Sequence, residues 1–262
     1  MYQITERIVR MAAQGGPAQR SEEWFSIRGN RVTGSIIDAI IEGKSAYTSR
    51  DRLCLEKAGM PSVFKGSIAT RHGTKLEEVA IKLYEKRTGH IVLPMPLIQH
   101  PDHPLLAHSP DGIILRKDKP PLLLEVKAPF KRDFENDTEV YSSYVHQVQM
   151  GINVFDTAGA HFVQYRPEGH MGKPELMTII EVERDVLWLE KYGPTVESFW
   201  ADVEHWRKEG WTNHPLAAKL RPKPPPPCGF KDDDDEETAH TITHEHKKPK
   251  TSTCLFNDDD DE

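Results

Sequence analysis

The stretch SPDGIILRKDKPPLLLEVKAP, which runs from Ser109 to Pro129, contains two short apolar segments on either side of a polar one. Gly112–Arg116 and Leu122–Lys127 have the length and the leucine and isoleucine content of strands. Lys117–Pro121, between them, has the composition of a polar loop. The stretch therefore predicts a β-hairpin, and the apolar content of its second strand predicts that this strand is well buried.

The predicted pairing brings charged side chains together at one end of the hairpin. If Arg116 pairs with Leu122, Asp111 lies opposite Lys127, and Glu125 is a diagonal neighbour of Asp111. Side chains two residues apart on a strand point to the same face, so Glu125 and Lys127 share a face. We therefore expect two carboxylates and an ammonium group to converge.

This group of charges is typical of a metal-dependent hydrolase. Two neighbouring carboxylates are costly to bury unless a cation neutralises them. Oxygen ligands select hard ions such as Mg²⁺ or Mn²⁺, and such an ion can orient a water and lower its pKa. The alternative is a surface hairpin in which Lys127 forms a salt bridge with Asp111 or Glu125. Strand geometry alone leaves both interpretations open.

A third carboxylate lies in the best-defined predicted helix, Thr74–Arg87, which has an apolar stripe and ends just before Gly89. Glu77 falls in the first turn of this predicted helix and is a candidate third metal ligand. The alternative is a capping box, in which Thr74 and Glu77 satisfy the helix N-terminus without a metal. The residues alone support the two roles equally.

Further periodic segments complete a mixed α/β pattern. Thr138–Val154 is predicted as a helix that carries Gln147 and Gln149, whose amides either reach the hairpin or are simply solvated. Glu183–Glu209 is a long predicted helix with aromatic residues that favour core packing. The remaining predicted elements are helices at Ser21–Arg28 and at Ser35–Ile41, with Ser35 as its N-cap, and strands at Ala160–Tyr165 and Leu176–Val182.

The composition changes at Arg221, where a proline run and then two acidic runs begin. Most of the net charge of -7 lies beyond that point, so the body of the chain is nearly neutral. Such a segment cannot bury enough apolar surface to offset its ordering entropy. We predict one domain over residues 1–220 and a disordered, proline-led acidic tail over residues 221–262.

The three cysteines, Cys54, Cys228 and Cys254, are scattered and lack the spacing of a disulfide framework or a metal site. This pattern favours a reducing compartment. No apolar run approaches the roughly 20 residues of a membrane span. The expectation is therefore an intracellular protein.

Six short motifs follow one another along the chain: Trp24-x-x-x-Arg28, Arg31-Val32-Thr33-Gly34-Ser35, Arg71-x-Gly73-Thr74-x-x-Glu77, Ser109-Pro110-Asp111-Gly112, Glu125-Val126-Lys127-x-Pro129 and Gln147-Val148-Gln149. Together they resemble the lambda-exonuclease type, the YqaJ viral recombinase family within the PD-(D/E)XK nucleases. The resemblance covers roughly Ser21 to Glu183. It implies a restriction-endonuclease-like core, with a central mixed β-sheet flanked by helices, and Mg²⁺ as cofactor, with Mn²⁺ as a substitute.

The resemblance also implies roles for individual residues. Asp111, Glu125 and the Val126 carbonyl match the main metal ligands, and Glu77 matches a ligand of a second metal. Lys127 matches the catalytic lysine, and Gln147 matches the glutamine that helps to position the site.

A pocket for a 5′-phosphate is implied in the same way, at Arg28, Ser35, Ser109 and Arg132. A predicted helix N-terminus at Ser35 would offer amides and a hydroxyl to an anion, and an arginine would add a bidentate contact. Arg28 could instead pair with Glu22 or Asp38. The segment before Asp133 is one residue shorter than the family pattern, so either Arg132 or Lys131 can fill the fourth position.

The implied function is 5′-to-3′ digestion of one strand at double-stranded DNA ends, in viral or phage DNA recombination, repair or processing. A single-strand-annealing protein is an expected partner, a trimer is one expected assembly, and a viral source would place the protein in the host cytoplasm or nucleus. The alternatives are a structure-selective or nicking endonuclease of the same fold and a catalytically silent DNA-binding recombination partner. The presence of Glu77, Asp111, Glu125 and Lys127 together favours an active enzyme.

Overall fold

The computed structural model of the chain describes residues 5–17, 19, 21–62 and 66–220. The predicted tail, 221–262, lies outside the described residues, as do Cys228 and Cys254; Cys54 is buried and free. The helices are α1 (Glu6–Gln14), α2 (Glu22–Gly29), α3 (Gly34–Ile41), α4 (Arg50–Lys57), α5 (Ile68–Thr88), α6 (Ser142–Phe155), α7 (Trp188–Glu209) and α8 (Ala217–Leu220). The strands are β1 (Val32–Thr33), β2 (Ile91–Leu93), β3 (Ile98–Gln99), β4 (Leu106–His108), β5 (Gly112–Arg116), β6 (Lys119–Lys127), β7 (Gly159–Arg166) and β8 (Leu176–Glu183).

Five of the strands form one central sheet in the order β2-β5-β6-β7-β8. The β6–β7 pair is parallel, and the other pairs are antiparallel. A second, three-stranded sheet has the order β1-β4-β3. The predicted mixed sheet flanked by helices is therefore confirmed.

Apolar clusters cover both faces of the central sheet. On one face, Leu123 and Phe162 pack with residues of α3, α6 and α7. On the other face, Leu122 and Leu124 pack with Ala80 and other residues of α5. Because side chains alternate along a strand, a run of three leucines supplies both faces at once. This burial explains why β6 reads as a continuous apolar segment.

The predicted hairpin is present, but its register was wrong by two residues. Gly112 pairs with Leu124 rather than with Val126. Asp111, which precedes Gly112, is therefore opposite Glu125 and not opposite Lys127. From Gly112 to Ile114 the displacement is by two residues, so these side chains keep the face that the alternation predicted; at Arg116, which pairs with Lys119 rather than Leu122, it is by three.

The register differs because the turn is shorter than its composition suggests. Only Lys117 and Asp118 separate the strands, and Asp118 adopts a left-handed conformation with φ of 55°. Pro120 belongs to β6, and its carbonyl accepts a hydrogen bond from the Arg116 guanidinium at 2.8 Å. A bulge between Ile114 and Arg116 accommodates the prolines, which cannot donate to a ladder.

Four helix starts also differ from prediction. α5 begins at Ile68, and the Ser67 hydroxyl caps it by accepting from the Thr70 amide at 3.1 Å. The capping box, which was the alternative role for Thr74 and Glu77, is therefore wrong, because both residues lie inside the helix and not in its first turn. The polar residues that precede Thr74 concealed this first part of α5, which is largely exposed.

Ser35 is likewise not the N-cap of its helix. α3 begins at Gly34, and Thr33 occupies the capping position without a side-chain hydrogen bond. The predicted starts of α6 and α7 were too early, because α6 begins at Ser142 and α7 at Trp188. The aromatic residues of α7 are core residues as predicted, with Trp188, Phe199 and Trp200 buried. In the described ranges, no helix is both long and apolar enough to cross a membrane.

Candidate active site

The charged residues of the hairpin meet where β5 begins and β6 ends. Asp111 directly precedes β5, and one of its carboxylate oxygens accepts a hydrogen bond from the Val126 amide at 2.6 Å. Glu125 and Lys127 lie near the end of β6 and point to the face that α6 covers. The hydrogen bond fixes Asp111 against the strand that carries the other two groups.

Glu125 is the centre of the contacts in this group, and its residue is only 2% exposed. Its Oε1 accepts from Lys127 Nζ at 2.6 Å and also from the side-chain amide of Gln147 on α6. Its Oε2 lies 3.6 Å from His108 Nε2, which is beyond a hydrogen bond. Among the described residues, this buried oxygen has no hydrogen-bond partner.

The pKa values of the two carboxyls move in opposite directions. Burial and the nearby charge of Glu125 raise the pKa of Asp111 well above its usual range. Burial alone would also raise the pKa of Glu125, but Lys127 and His108 outweigh it and lower that pKa. Burial would lower the pKa of Lys127, but Glu125 and Asp111 raise it instead. The resulting charge state is an ionised Glu125–Lys127 pair beside an Asp111 whose charge is poorly compensated.

His108 is buried beneath Glu125 and is packed between two glycines. A side chain at Gly34 would approach His108 Nδ1 to 2.6 Å, and one at Gly151 would approach Nε2 to 2.8 Å. The sequence analysis did not include His108 among the site residues. Its position directly upstream of Asp111, at the end of β4, was the available signal.

Glu77 reaches the site from α5. Together with Trp24, Ser109 and Asp111 it lines a cavity of about 200 Å³, whose other walls include Met95. Glu77 also contributes to the raised pKa of Asp111. The structure thus places the third predicted carboxylate beside the hairpin pair, although in a different part of its helix than expected.

The donor chemistry of the group fits a hard cation. Within the described residues, no three acidic, histidine or cysteine side chains are already gathered as a metal cage. However, Glu125 has a buried oxygen without a partner among the described residues, and burial together with the charge of Glu125 raises the pKa of Asp111, which a divalent cation would offset. Carboxylate oxygens are the ligands that Mg²⁺ prefers.

Two of the predicted phosphate-binding residues are in direct contact. Arg28 Nη2 donates to the Ser35 hydroxyl at 2.8 Å, and the guanidinium lies 4.3 Å from the centre of the Trp24 ring. Lys57, which the sequence analysis missed, donates to the Arg28 carbonyl. Burial, with smaller contributions from Arg28 and Arg207, lowers the pKa of Lys57 to about 8. Nothing in the local sequence around Lys57 signals this contact.

Arg132 is held by a separate set of contacts. Its guanidinium pairs with Asp137 at 2.5 Å, contacts the Gln164 side chain and lies 4.8 Å from the centre of the Tyr141 ring. Lys131, the alternative, is exposed. The geometry thus gives Arg132 a fixed position and leaves Lys131 at the surface.

Two tyrosines link this arginine to the hairpin. Tyr141 lies under Arg132, and Tyr144 lies 5.0 Å from Lys127 Nζ, with the two rings 6.2 Å apart. Tyr144 precedes Gln147 by three residues, and this spacing was the signal that the two share one face of α6, whereas Tyr141 directly precedes the helix.

Gln149 does not belong to the site. It is buried, donates to the Glu183 carbonyl at 2.8 Å and accepts from the Asp185 amide at 2.9 Å. Gln149 therefore joins α6 to the segment that follows β8, and only Gln147 reaches the carboxylates.

The order of these groups along the chain matches a known family, since the model of the YqaJ-like viral recombinase domain matches residues 23–160. The chain belongs to this family. The match extends from α2 through the hairpin to β7, so the YqaJ-like region includes Glu77, Asp111, Glu125, Lys127 and Gln147.

Viral proteins are among the relatives of this YqaJ-like chain. An uncharacterized protein of Acanthamoeba polyphaga mimivirus is 28% identical over 158 residues, which is 56% of this chain and 29% of that protein. A protein of African swine fever virus, strain Badajoz 1971 Vero-adapted, is 27% identical over 175 residues, which is 56% of this chain and 49% of that protein. The chain therefore spans less than half the length of either relative.

Solved exonucleases share the fold. An alkaline exonuclease from Laribacter hongkongensis superposes with a TM-score of 0.57 at 27% identity, over 76% of this chain and all of that one. The same enzyme has been solved in complex with dAMP. A phage-related exonuclease from Haemophilus somnus 129PT has a TM-score of 0.51 at 14% identity, over 68% of this chain and 96% of that one, which is a similarity of fold alone. The YqaJ-like chain thus shares its fold with solved exonucleases and has viral relatives.

Proposed function

We propose that the chain is a Mg²⁺-dependent 5′-to-3′ exodeoxyribonuclease that acts on double-stranded DNA ends in viral or phage DNA recombination, repair or processing. The observation that carries the proposal is the half-buried Asp111 beside the buried Glu125, with Lys127 Nζ 2.6 Å from Glu125. Glu77 and Ser109 line the adjacent cavity. These groups supply oxygen ligands for cations and an ammonium for a phosphate, which suits hydrolysis of a phosphodiester.

Asp111, Glu125 and the Val126 carbonyl would hold one Mg²⁺ ion, and Glu77 would be a ligand of a second. Mn²⁺ shares the preference for oxygen ligands and would substitute. When bound, the cations neutralise charge on the phosphate and lower the pKa of a bound water. Glu125 is suited to the role of ligand because its lowered pKa keeps it ionised.

Lys127 would donate hydrogen bonds to the attacking water and to the scissile phosphate. The neighbouring carboxylates raise its pKa, so it remains protonated and stabilises negative charge rather than removing a proton. Gln147 would hold Glu125 in place through its amide, and the Tyr144 ring would hold the Lys127 ammonium from the other side. Restricting both side chains in this way reduces the reorganisation that the reaction requires.

The polarity of digestion would come from a pocket for the 5′-phosphate. The Arg28 guanidinium and the Ser35 hydroxyl are already in contact, and Ser35 lies in the first turn of α3, where backbone amides remain free for an anion. Ser109 would contact the phosphate from the cavity wall, and Arg132 from beside Tyr141. Holding the terminal phosphate would set which bond reaches the carboxylates.

The test is Mg²⁺-dependent digestion of linear duplexes with 5′-phosphate or 5′-hydroxyl ends, together with nicked and closed circles. We expect the phosphorylated linear duplex to be preferred and closed circles to resist. Lys127→Ala should abolish digestion, and Lys82→Ala, which changes an exposed lysine of α5, should not. Equal cleavage of closed circles would contradict an exonuclease and indicate a structure-selective or nicking endonuclease. Tight DNA binding without any cleavage would indicate a catalytically silent recombination partner.

Double-stranded DNA is the proposed substrate, and a single-strand-annealing protein remains the predicted partner. A trimer and a location in the host cytoplasm or nucleus also remain predictions. Sizing the full chain with and without duplex DNA would test the trimer.

A further inference from the structure

A second cavity, of about 340 Å³, lies at the far end of the hairpin from the carboxylates. Helix α5 runs between the two regions, and the eleven residue steps from Glu77 to Thr88 cover about 16 Å of its axis. The cavity is therefore separate from the proposed active site. The side chains that give it its chemistry are Arg116, Lys117, Lys119, His90, His161 and Glu181.

The cavity is predominantly basic. Arg116, Lys117 and Lys119 all come from the tight hairpin turn, and Glu181 is the acidic side chain among the lining residues. The Arg116 guanidinium is held in place, because its Nε and Nη2 both donate to the Pro120 carbonyl, at 3.2 and 2.8 Å. The Glu181 side chain is 87% exposed, so solvent screens its charge.

Two histidines that line the cavity are linked to each other through one buried tyrosine. The Tyr84 hydroxyl lies 2.7 Å from His161 Nδ1 and 3.0 Å from His90 Nδ1. A hydroxyl has one proton, so it donates to one of these nitrogens and accepts from the other. When both rings are neutral, the ring that accepts from the tyrosine therefore has its proton on Nε2, and the ring that donates has its proton on Nδ1. The tyrosine thus couples the tautomer of His90 to that of His161.

His161 has a nitrogen available for a ligand. Its residue is 5% exposed, and its buried Nε2 has no hydrogen-bond partner among the described residues. The nearest carboxylate oxygen, on Glu181 of the neighbouring strand, is 3.9 Å away, which is too far for a hydrogen bond. Burial, and then the positive charge of Arg116, lower the pKa of His90. Burial also lowers the pKa of His161; the charge of Glu181 acts in the opposite direction, and the charge of Arg116 lowers the pKa further.

We propose that this cavity binds a phosphate group, with Arg116 and Lys119 supplying positive charge and the His161 imidazole supplying a hydrogen bond. A guanidinium, two ammonium groups and an imidazole offer more donors than the two oxygens of a carboxylate can use, and phosphate has enough acceptors for them. A free phosphate and a phosphate of the DNA backbone share this chemistry. The site does not depend on the proposed nuclease activity.

The test is histidine-selective NMR of the full chain in EDTA. Inorganic phosphate is titrated against NaCl of equal ionic strength, and the imidazole signals are assigned with His90→Gln and His161→Gln. We expect saturable shifts of the His90 and His161 signals with phosphate and not with NaCl. Binding of phosphate at Arg28 would leave these two signals unchanged, so the two sites are distinguishable.

Three variants make the test specific. Arg116→Gln combined with Lys119→Gln should weaken binding at least about tenfold, because charge-assisted hydrogen bonds are lost. Glu181→Gln should strengthen it, and Lys208→Gln, an exposed change on α7, should have no effect. The variants alter exposed or half-exposed side chains, and far-ultraviolet circular dichroism would check that they fold.

A second arm replaces phosphate with a 5′-phosphorylated duplex under the same metal-free conditions. A response to the duplex would identify the DNA backbone as the source of the phosphate, and a response to phosphate alone would identify a free ligand; both support the proposal. No shift in either arm, a shift reproduced by NaCl, or equal binding by the Arg116 and Lys119 double variant would overturn it. Because the readout needs neither metal nor cleavage, failure of the proposed nuclease activity would leave this result intact.

Discussion

Replacing Lys127 by methionine tests how much the buried ion pair of Lys127 and Glu125 contributes to the stability of the protein. The Lys127 Nζ to Glu125 Oε1 distance is 2.6 Å, and the two side chains are 22% and 3% exposed. Methionine keeps the apolar stem but removes the charge, which leaves an ionised carboxylate buried beside Asp111, with the Gln147 amide as its donor and His108 3.6 Å away. Breaking a buried pair in this way costs about 3–5 kcal/mol. Because Lys127 keeps some exposure, we expect the free energy of unfolding to fall by about 3 kcal/mol at pH 7.

The double variant Glu125→Gln, Lys127→Met should be much less destabilised than the single one. Removing both charges avoids an uncompensated buried ion, so the loss should be about 1 kcal/mol or less. The double variant should therefore be more stable than Lys127→Met by about 2 kcal/mol. Urea denaturation of the metal-free protein, followed by tryptophan fluorescence, measures all three free energies.

The matched control is Lys82→Met. Lys82 and Glu78 on α5 form a pair with an N–O distance of 2.5 Å, as short as that of the buried pair, but both side chains are more than two-thirds exposed. Solvent screens such a pair, so the control should leave stability unchanged. If Lys127→Met also left it unchanged, or if the double variant were as unstable as the single one, burial would not be the source of the effect.

The Glu125–Lys127 pair also predicts how the stability difference between wild type and Lys127→Met depends on pH. The pKa of Glu125 is lowered in the folded wild type, so its stabilising contribution is present above the carboxyl's unfolded pKa and is lost as pH falls through the folded pKa. In Lys127→Met the burial effect is no longer outweighed, and Glu125 should take up a proton at higher pH. The stability difference between wild type and variant should therefore shrink below about pH 5.

Three further predictions concern other parts of the site. Asp111→Asn should stabilise the metal-free protein by about 1 kcal/mol at pH 7. The pKa of Asp111 is raised in the folded protein, so its contribution to stability is lost as pH rises above the unfolded pKa; asparagine avoids this loss and can still accept the hydrogen bond from the Val126 amide. Denaturation with and without Mg²⁺ should show that the gain vanishes or reverses when metal is added, and a destabilised metal-free variant would refute the argument. Arg28→Ala should remove the preference for 5′-phosphorylated over 5′-hydroxyl duplexes, by about tenfold or more in kcat/KM, whereas Lys131→Ala should not; an unchanged preference in Arg28→Ala would place the phosphate elsewhere. Gly151→Ala should destabilise the protein by about 1–3 kcal/mol and lower digestion, because the added Cβ would lie 2.5 Å from Leu123 and 2.8 Å from His108. Denaturation and digestion assays would test this, and a variant as stable and active as wild type would show that the packing relaxes freely.

The sequence predicted the elements that have a strong local pattern. The leucine run of β6 and the alternation around it identified the hairpin and assigned Glu125 and Lys127 to one face, because the period of a strand is a local property. The same information could not fix the register. The register depends on a two-residue turn, after which β6 already includes Pro120, and on the hydrogen bond from the Arg116 guanidinium to the Pro120 carbonyl.

Other parts of the structure have no comparable local signal. The strands β1, β3 and β4 contain two or three residues each, which is too short for a period to be visible. The first part of α5 is polar and exposed, so it carries no apolar stripe, and Glu77 was misplaced within its helix. Contacts such as His108 with Glu125 or Arg132 with Gln164 join distant segments and arise only when the sheet and its helices pack.

Helix α6 is the element that connects these long-range contacts to the site. Tyr144, Gln147 and Gly151 are three and four residues apart, so they lie on one face of the helix. Tyr144 lies against the Lys127 ammonium, Gln147 donates to Glu125, and the absence of a side chain at Gly151 lets the helix pack closely against Leu123 and His108. One packing distance therefore sets the positions of the ammonium and of the carboxylate together. A change that moved α6 outward would loosen both groups at once, which is why the glycine is expected to affect digestion as well as stability.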